Sequence, residues 1–229
     1  SLTLTGAIAR SCNVYFYQLG LRIGLTRLVA GGVKFGFSSK TGIDLPEELR
    51  PQFPDGIAYY NQRYGATGWT QGSAALNLSI GQGDNSQTIL NMARFYSALA
   101  TDGYAPEPSI VKRASSEKTR LFDIAADEYE ALRRGMVGVV TAGGTAASAA
   151  LPGVTLAGKT GTSQTVALGR SSACDHALFA GFAPAEKPEI VVAVILECGA
   201  HGYAAARVAS AIVGKYFGVV PNFLATTGG

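Results

Sequence analysis

HALFAGFA at residues 176–183, PAEKP at 184–188 and IVVAVILE at 190–197 form two apolar segments joined by a short polar connection. Each apolar segment has the length of a strand and is rich in residues that favour β structure, and the proline-bounded connection is typical of a hairpin. TLAGKTGTSQ at residues 155–164 predicts a third strand just upstream. We therefore predict three consecutive strands, which antiparallel pairing would join into one sheet.

Helices are predicted on both sides of these strands, wherever apolar residues recur at helical spacing. The predicted helices are those at 14–23, 86–102, 129–140 and 208–216. Ser86 is the predicted N-cap of the second helix, Gly103 its stop, and Ser109 to Arg113 a further short strand. The expected fold is of the mixed α+β class, an antiparallel sheet flanked by helices with an adjoining helical subdomain. We expect the helical part at residues 1–105 and the sheet with its helices at 106–229.

Composition excludes several classes of protein. The chain has 229 residues, of which 47% are hydrophobic and 15% charged, so it has the material for a substantial core and lacks the composition of a disordered chain. The net charge is +3 without any run of Lys or Arg, so no nucleic-acid partner is expected. The longest apolar run, Ile190 to Leu196, is far shorter than the ~20 residues of a membrane helix. Since the chain opens in helix-like sequence without Met, we expect a piece of a longer protein, with any anchor or export signal in the remainder.

The segment Lys159-Thr160-Gly161-Thr162 has the chemistry of a carboxylate-binding edge strand. Lys159 supplies a positive charge, and the hydroxyls of Thr160 and Thr162 can donate hydrogen bonds to a carboxylate. Gly161 lacks a Cβ and lets a substrate backbone approach the strand, while the N–H of Thr162 can point at a developing oxyanion. The plainer alternative is a glycine-containing strand with a surface lysine. A second copy, Lys40-Thr41-Gly42, lies in a loop, and we predict a structural role for it.

Ser11 and Asn13 flank Cys12 at the start of an apolar helix. A serine hydroxyl close to a lysine can relay a proton to a leaving amine, and an asparagine amide can hold a substrate carbonyl. The alternative is that the two residues are only helix caps, because both residue types are preferred there.

Together these motifs resemble those of the penicillin-binding transpeptidases, whose signatures include S-x-N and K-T-G. The resemblance runs in order along the chain from residue 1 to about 218. Its members are Ser11-Cys12-Asn13 with Tyr15-Phe16-Tyr17, Phe35-Gly36-Phe37, Thr41-Gly42-Ile43-Asp44-Leu45, Ile80-Gly81-Gln82-Gly83, Gly144-Thr145-Ala146, Gly158-Lys159-Thr160-Gly161-Thr162, and His176 to Phe179 with Gly181 to Pro184. Trp69-Thr70-Gln71-Gly72 ahead of the Ile80 motif is similar to the elongation-type penicillin-binding protein 2 rather than to the septal type.

The resemblance implies a fold like that of penicillin-binding proteins and serine β-lactamases, and a D,D-transpeptidase that cross-links peptidoglycan through a serine acyl-enzyme. The implied ligands are stem peptides ending in D-Ala-D-Ala and the β-lactams that mimic them, without a cofactor or a metal. By position, Ser11, Asn13 and Lys159 would be catalytic, and Thr160, Gly161 and Thr162 would bind substrate, with Thr162 in the oxyanion hole. The implied location is the extracytoplasmic face of the bacterial inner membrane, in a membrane-anchored parent with cell-wall synthesis partners.

The nucleophile motif of this family, S-x-x-K, is missing from its expected place before Ser11. Ser109 to Lys112 has the spacing but is predicted as a strand, in which positions i and i+3 face opposite sides. Ser115 to Lys118 lies in a polar run, and both follow S-x-N, which is the wrong order. We therefore expect no nucleophile in this chain, and a companion segment that carries S-x-x-K.

Two other functions fit the same motifs. A serine β-lactamase shares K-T-G and the fold, but it needs a deacylating base, and the large G-I-D-L-P and I-G-Q-G loops resemble those of a transpeptidase. A non-catalytic β-lactam sensor or scaffold domain would keep the pocket without turnover.

Cys174 and Cys198 fall nearly opposite each other if the hairpin turn is centred between Glu186 and Lys187. Opposite residues of antiparallel strands are close enough for a disulfide. A zinc site that adds His176 and His201, or two free thiols, are the alternatives. Without a G-x-S-x-G motif, the two histidines are interpreted as structural rather than as part of a triad.

Overall fold

The computed structural model describes residues 2–113, 115–163 and 174–225. The described residues form two compact units that interleave along the chain. The sheet unit comprises Ser1–Ser11, Leu99–Asp102 and Ile124–Gly229, and the helical unit comprises Cys12–Ala98 and Gly103–Asp123. No helix of the described ranges combines the length and the apolar character needed to span a bilayer.

The helices and strands of the described residues are mixed along the chain, as predicted. In chain order the helices are α1 (Leu4–Ala9), α2 (Asn13–Ile23), α3 (Leu25–Lys34), α4 (Ala58–Tyr64), α5 (Gln71–Ser79), α6 (Ile89–Ala100), α7 (Ala126–Val140), α8 (Gly202–Phe217) and α9 (Asn222–Ala225). The strands are β1 (Tyr104–Pro106), β2 (Lys118–Arg120), β3 (Ala157–Ser163), β4 (His176–Ala183) and β5 (Ile190–Leu196).

The three predicted strands of the C-terminal half are confirmed, and they pair in the order β3-β4-β5, antiparallel throughout. The register sets Ala177 opposite Leu196 in the hairpin and Lys159 opposite Ala180 in the other pair. Strand β4 is the central strand, and its Phe179 and Phe182 are completely buried. Strand β3, which carries the K-T-G sequence, is therefore an edge of the described sheet.

Small residues let two helices pack closely within the sheet unit. Helix α8 covers the sheet with a buried row that includes Ala205, Ala209 and Val213. Helix α7 packs against α1 and β3. A Cβ added to Gly138 of α7 would lie 2.9 Å from the Cβ of Ala9, so this glycine sets the approach of α1 and with it the position of Ser11.

The predicted strand at Ser109 to Arg113 is wrong. These residues form a loop that is anchored on the carboxylate of Asp44, which accepts from the hydroxyl of Ser109 at 2.5 Å and from the backbone N–H of Ile110 at 2.7 Å. A distant carboxylate thus satisfies backbone groups that a strand partner would otherwise take. The short strands of this region are β1 and β2, on either side of the loop.

The predicted N-cap at Ser86 is also wrong. Its backbone pairs with Gln52 in an isolated bridge, and the hydroxyl of Thr88 accepts from the N–H of Asn91 at the start of α6. The N-cap is therefore Thr88, two residues later, because its hydroxyl can accept from a backbone N–H of the first helical turn.

Candidate active site

Lys159 and Ser11 form the central contact of the sheet unit's candidate site. The ammonium nitrogen of Lys159 donates to the hydroxyl oxygen of Ser11 at 2.8 Å and to the carbonyl oxygen of Thr160 at 2.9 Å. Because Ser11 accepts this bond, its own hydroxyl proton is free to be donated to another acceptor. The structure therefore brings together two of the residues that the sequence singled out.

Burial lowers the pKa of Lys159 to about 8 from its ordinary value of 10.5. Desolvation disfavours the charged form of the amine, and the contacts of Lys159 are to neutral oxygens rather than to a carboxylate. Near neutral pH the amine is mostly protonated, yet it gives up its proton more readily than an exposed lysine. Such a group can hold and return a proton during catalysis.

Ser11 occupies an unusual backbone conformation between two helices. Its φ is 52°, in the left-handed region, and its N–H donates to the carbonyl of Ile8 at 3.1 Å. Helix α2 begins at Asn13 with Cys12 as the N-cap and without a side-chain capping bond. The alternative in which Ser11 is merely a helix cap is wrong, since its hydroxyl is engaged by Lys159.

A second hydroxyl pair adjoins the lysine. The side-chain oxygens of Thr145 and Thr160 lie 2.8 Å apart, and either can be the donor. Thr145 follows Gly144. A Cβ on Gly144 would lie 2.1 Å from the carbonyl oxygen of Gly138, so the position has no room for a side chain. The loop after α7 thus folds back tightly and presents Thr145 to the edge strand.

The N-terminus of helix α8 lies directly against the K-T-G strand. A Cβ on Gly202 would lie 2.7 Å from the carbonyl oxygen of Gly161 and 2.9 Å from the Cβ of Thr160. The positive end of the helix dipole is therefore close to Thr160, where it favours an anion. Together with Lys159 and the two threonines, this arrangement suits a substrate carboxylate.

The remaining predicted site residues are placed, but their roles stay predictions. Thr162 is exposed on the edge strand opposite Ala177. Asn13 is the exposed first residue of α2 and belongs to the helical unit.

The second K-T-G copy has the structural role that was predicted for it. The carboxylate of Glu48 accepts from the N–H and the hydroxyl of Thr41 at 2.6 and 2.7 Å and from the N–H of Gly42 at 3.0 Å. Thr41 is only 6% exposed. Its hydroxyl is therefore unavailable to a substrate.

Cys174 and Cys198 are joined by a disulfide, with their Cα atoms 4.7 Å apart. The bond decides between the three alternatives: the two cysteines are neither free thiols nor available as zinc ligands. The Nδ1 atom of His176 accepts from the backbone N–H of Cys198 at 3.2 Å, in keeping with a structural role. Cys12 is a free cysteine.

Sequence reasoning did not single out Thr145 as a site residue. It appeared only within the Gly144-Thr145-Ala146 motif, because threonine in a glycine-rich loop carries no chemical signal of its own. Thr145 lies 15 residues before Thr160, and this separation in the sequence does not predict that their side chains meet.

Comparison with known proteins identifies the family of this chain. The family model for the penicillin binding protein transpeptidase domain matches residues 1–217, and the chain belongs to this family. It is 33% identical over 227 residues to the peptidoglycan D,D-transpeptidase MrdA of Acinetobacter baumannii, covering 90% of this chain and 33% of that protein. It is also 33% identical over 236 residues to the penicillin-binding protein PbpB of Mycobacterium tuberculosis, covering 93% of this chain and 33% of that protein.

Solved structures show the same relationship. The chain superimposes on penicillin-binding protein 2 of Helicobacter pylori, in its complex with MreC, with a TM-score of 0.82 and 29% identity, covering 95% of this chain and 40% of that one. For Pseudomonas aeruginosa penicillin-binding protein 2 the TM-score is 0.79 at 30% identity, covering 94% of this chain and 47% of that one. The chain thus spans about a third of the length of the curated relatives it matches.

Proposed function

We propose that this chain is the C-terminal part of a peptidoglycan D,D-transpeptidase domain of the elongation type, a class B penicillin-binding protein. The observation that supports this most directly is the hydrogen bond from Lys159 to Ser11 beside the Thr145–Thr160 hydroxyl pair. The relatives named as peptidoglycan D,D-transpeptidases and the penicillin-binding protein 2 structures supply the substrate class.

In the proposed reaction, a serine on a companion S-x-x-K segment gives its proton to the lysine of that segment and attacks the penultimate D-Ala carbonyl of a stem peptide. The bond from that carbonyl carbon to the D-Ala nitrogen breaks, and the leaving amine takes a proton. Ser11 donates it from its hydroxyl and is reprotonated by the ammonium of Lys159, which returns to charge when the acceptor amine loses its proton. The acceptor amine then displaces the serine, which takes its proton back from the lysine of the companion segment, and the cross-link is closed.

The terminal carboxylate of the donor peptide is held by the hydroxyls of Thr160 and Thr162, next to the charge of Lys159 and the N-terminus of α8. Gly161 leaves room for the peptide backbone along the edge strand, and the N–H of Thr162 faces the developing oxyanion. Asn13 holds a substrate carbonyl. β-Lactams, as mimics of the D-Ala-D-Ala terminus, would acylate the same companion serine.

The proposed location is extracytoplasmic, in a parent protein anchored in the bacterial inner membrane. Peptidoglycan as the substrate and the Cys174–Cys198 disulfide both favour an oxidising compartment outside the cytoplasm. A cell-wall synthesis partner is proposed by analogy with the Helicobacter pylori complex of penicillin-binding protein 2 and MreC.

The test uses a polypeptide that carries an S-x-x-K segment ahead of residues 1–229, either the parent or a chimera with the segment of a relative. Acylation by a fluorescent penicillin is followed for the unchanged protein, for Lys159→Ala and for the exposed control Lys187→Ala. Loss of one preorganised charged contact corresponds to ~2–4 kcal/mol, so Lys159→Ala should slow acylation about 30-fold or more. A loss under about threefold would mean that Lys159 is only a strand residue. Rapid turnover of a chromogenic β-lactam would instead favour the β-lactamase function.

A further inference from the structure

The helical unit contains a pocket that the proposed acyl transfer does not use. The aromatic pocket, as we call it, encloses about 160 Å³ and is lined by Tyr60, Tyr64, Trp69, Asn77, Gly83 and Asp84 together with smaller neighbours. All of these residues lie within Cys12–Ala98 of the helical unit. None of them has a role in the proposed transpeptidase reaction.

Three aromatic rings form one wall of this pocket. Trp69 stacks on Tyr60 with ring centroids 4.8 Å apart, and Tyr60 stacks on Tyr64 at 6.4 Å. The indole N–H of Trp69 donates to the side-chain oxygen of Asn61 at 2.9 Å, which fixes the orientation of the ring. The faces of such rings carry negative potential and attract cations.

A carboxylate completes the negative character of the pocket. Among the described residues that line it, Asp84 is the one that carries charge, and it is 7% exposed. Its Oδ1 atom accepts from the hydroxyls of Tyr59 and Tyr64 at 3.1 and 2.9 Å, while Oδ2 accepts from Tyr64 at 3.0 Å. Each carboxylate oxygen offers two lone pairs, so Oδ2 keeps capacity for a ligand.

A cation of the chain itself already pairs with this carboxylate. The Nε atom of Arg63 is 2.9 Å from Oδ1 of Asp84, and its guanidinium carbon lies 5.6 Å from the centre of the Tyr64 ring. The side chain of Arg63 is 48% exposed, so it contacts the carboxylate from the solvent side and is not among the residues that line the pocket. The wall thus has the chemistry to hold an organic cation, and Arg63 is a competitor for it.

One buried polar group in the pocket wall has no partner. Tyr60 is 2% exposed, and its hydroxyl makes no hydrogen bond within the described part of the chain. Buried hydroxyls are usually satisfied, and an orphan beside a cavity points to a missing partner. The amide of the exposed Asn77 at the rim offers a further hydrogen-bonding group.

We propose that the aromatic pocket binds an alkylammonium group, with its methylene and ammonium atoms against the aromatic wall and Asp84 as its counter-ion. Aromatic rings and a carboxylate that line the same pocket can together recognise an organic amine, through cation–π contact and charge pairing. Gly83 has φ of 75° and approaches Asn77, so the pocket wall there is free of a side chain that would fill it.

Trp69 provides the measurement, because it is the one tryptophan in the sequence. The 229-residue protein is titrated with Nα-acetyl-L-lysine methylamide while the tryptophan fluorescence is recorded, and with the norleucine analogue as the neutral control of similar shape. The lysine compound should give a saturable change that weakens with added salt, and the norleucine compound should not. An absent change, or an equal one for both compounds, would overturn the proposal.

Two variants separate binding from folding. Asp84→Asn should weaken the lysine compound at least about tenfold. Arg63→Gln should strengthen it several-fold, because it removes the competing cation, whose side chain is 48% exposed. Circular dichroism confirms that each variant is folded, and if Asp84→Asn unfolds, Arg63→Gln decides alone. Weaker or unchanged binding in Arg63→Gln contradicts the assignment of Asp84 as the counter-ion.

Discussion

The ammonium nitrogen of Lys159 lies 2.8 Å from the hydroxyl oxygen of Ser11, across 148 positions of the chain. The contact joins the end of a short helix to an edge strand, and each side is positioned by glycines that allow close packing. Because the lysine is the donor, the serine keeps a proton for a leaving group. The proposed function uses this contact as a proton relay to the leaving amine.

We predict that the 229-residue polypeptide alone forms no covalent adduct with benzylpenicillin. The two S-x-x-K sequences are unsuited to nucleophilic attack, since neither lies in a helix, where the serine and the lysine would share one face: Ser109 to Lys112 is a loop and Lys118 lies in β2. Intact-protein mass spectrometry after incubation measures this, with a complete penicillin-binding protein as the positive control. A stoichiometric adduct on Ser11, Ser109 or Ser115 would contradict it.

Lys159 should react with amine-directed reagents at unusually low pH. Its pKa is lowered to about 8 by burial, so its neutral form becomes abundant from about pH 8 upward. A short pulse of acetic anhydride over a pH series, with peptide mass spectrometry, gives the labelling profile, and exposed Lys187 in the same sample is the reference. Identical profiles for the two lysines would refute the effect of burial.

The same shift predicts how stability depends on pH. The folded pKa of Lys159 is about 8 and the ordinary value is 10.5, so the unfolded chain binds more protons between these values. The contribution of Lys159 to the free energy of unfolding should therefore rise with pH across this window. Lys159→Met should remove that rise in urea titrations at several pH values, whereas a rise of equal size in the variant would assign it to other groups.

Thr145 should affect substrate binding through Thr160. Thr145→Val keeps the shape but removes the oxygen that lies 2.8 Å from the Thr160 hydroxyl. Such a hydrogen bond is typically worth ~1 kcal/mol, so the apparent affinity for a β-lactam should fall about fivefold while the maximal acylation rate changes little. Thr145→Ser, in the nucleophile-bearing polypeptide, should restore most of the loss. If Ser behaves like Val, the hydroxyl is irrelevant.

Thiol titration of the unreduced, denatured protein with a chelator present should find one free thiol, that of Cys12. Cys174 and Cys198 are bonded and lie 24 positions apart in the sequence. A disulfide that closes a loop of this size typically stabilises the folded state by ~2–4 kcal/mol. The double variant Cys174→Ala with Cys198→Ala should therefore unfold at lower denaturant concentration. Three free thiols in the native preparation would exclude the bond.

Asp44 should hold the loop at residues 109–113 closed. Hydrogen bonds from Ser109, Ile110 and Val111 lower its pKa to about 2 from 3.8, so the stabilisation is present above 3.8 and is lost as pH falls through about 2. Asp44→Asn should speed tryptic cleavage after Lys112 and Arg113 at neutral pH. Asp55→Asn, at an exposed loop position, is the matched control, and equal cleavage rates in both would count against the anchor.

The local sequence pattern was sufficient to predict the sheet, because short apolar runs bounded by prolines and glycines, such as those of β4 and β5, have few alternatives to a strand. It failed where a distant group decides the local structure. The apolar pair Ile110 and Val111 has strand propensity, yet the carboxylate of Asp44, 66 positions from Ile110, takes the backbone donors. Helix α4 was missed because its aromatic residues follow no clear period.

For the candidate site, the residue types of K-T-G and S-x-N were sufficient to predict the kind of chemistry. The hydrogen bond between Lys159 and Ser11 that joins the two motifs became visible only in the folded structure. Register arithmetic, which the strand pairing confirms, left the Cys174–Cys198 disulfide as one of three possible outcomes, and the folded structure selects it. The sequence could not identify Thr145 as a site residue, because its hydroxyl is brought to Thr160 by a loop conformation that no residue pattern predicts.

The backbone of Ser11, with φ of 52°, lies where glycine is more relaxed than serine. In a library of variants selected for thermal stability alone, Ser11→Gly should therefore be enriched. Selection for growth of a cell that depends on the relay should eliminate the same change. A position at which the two selections pull in opposite directions is one that is retained for its chemistry and against its own conformational preference.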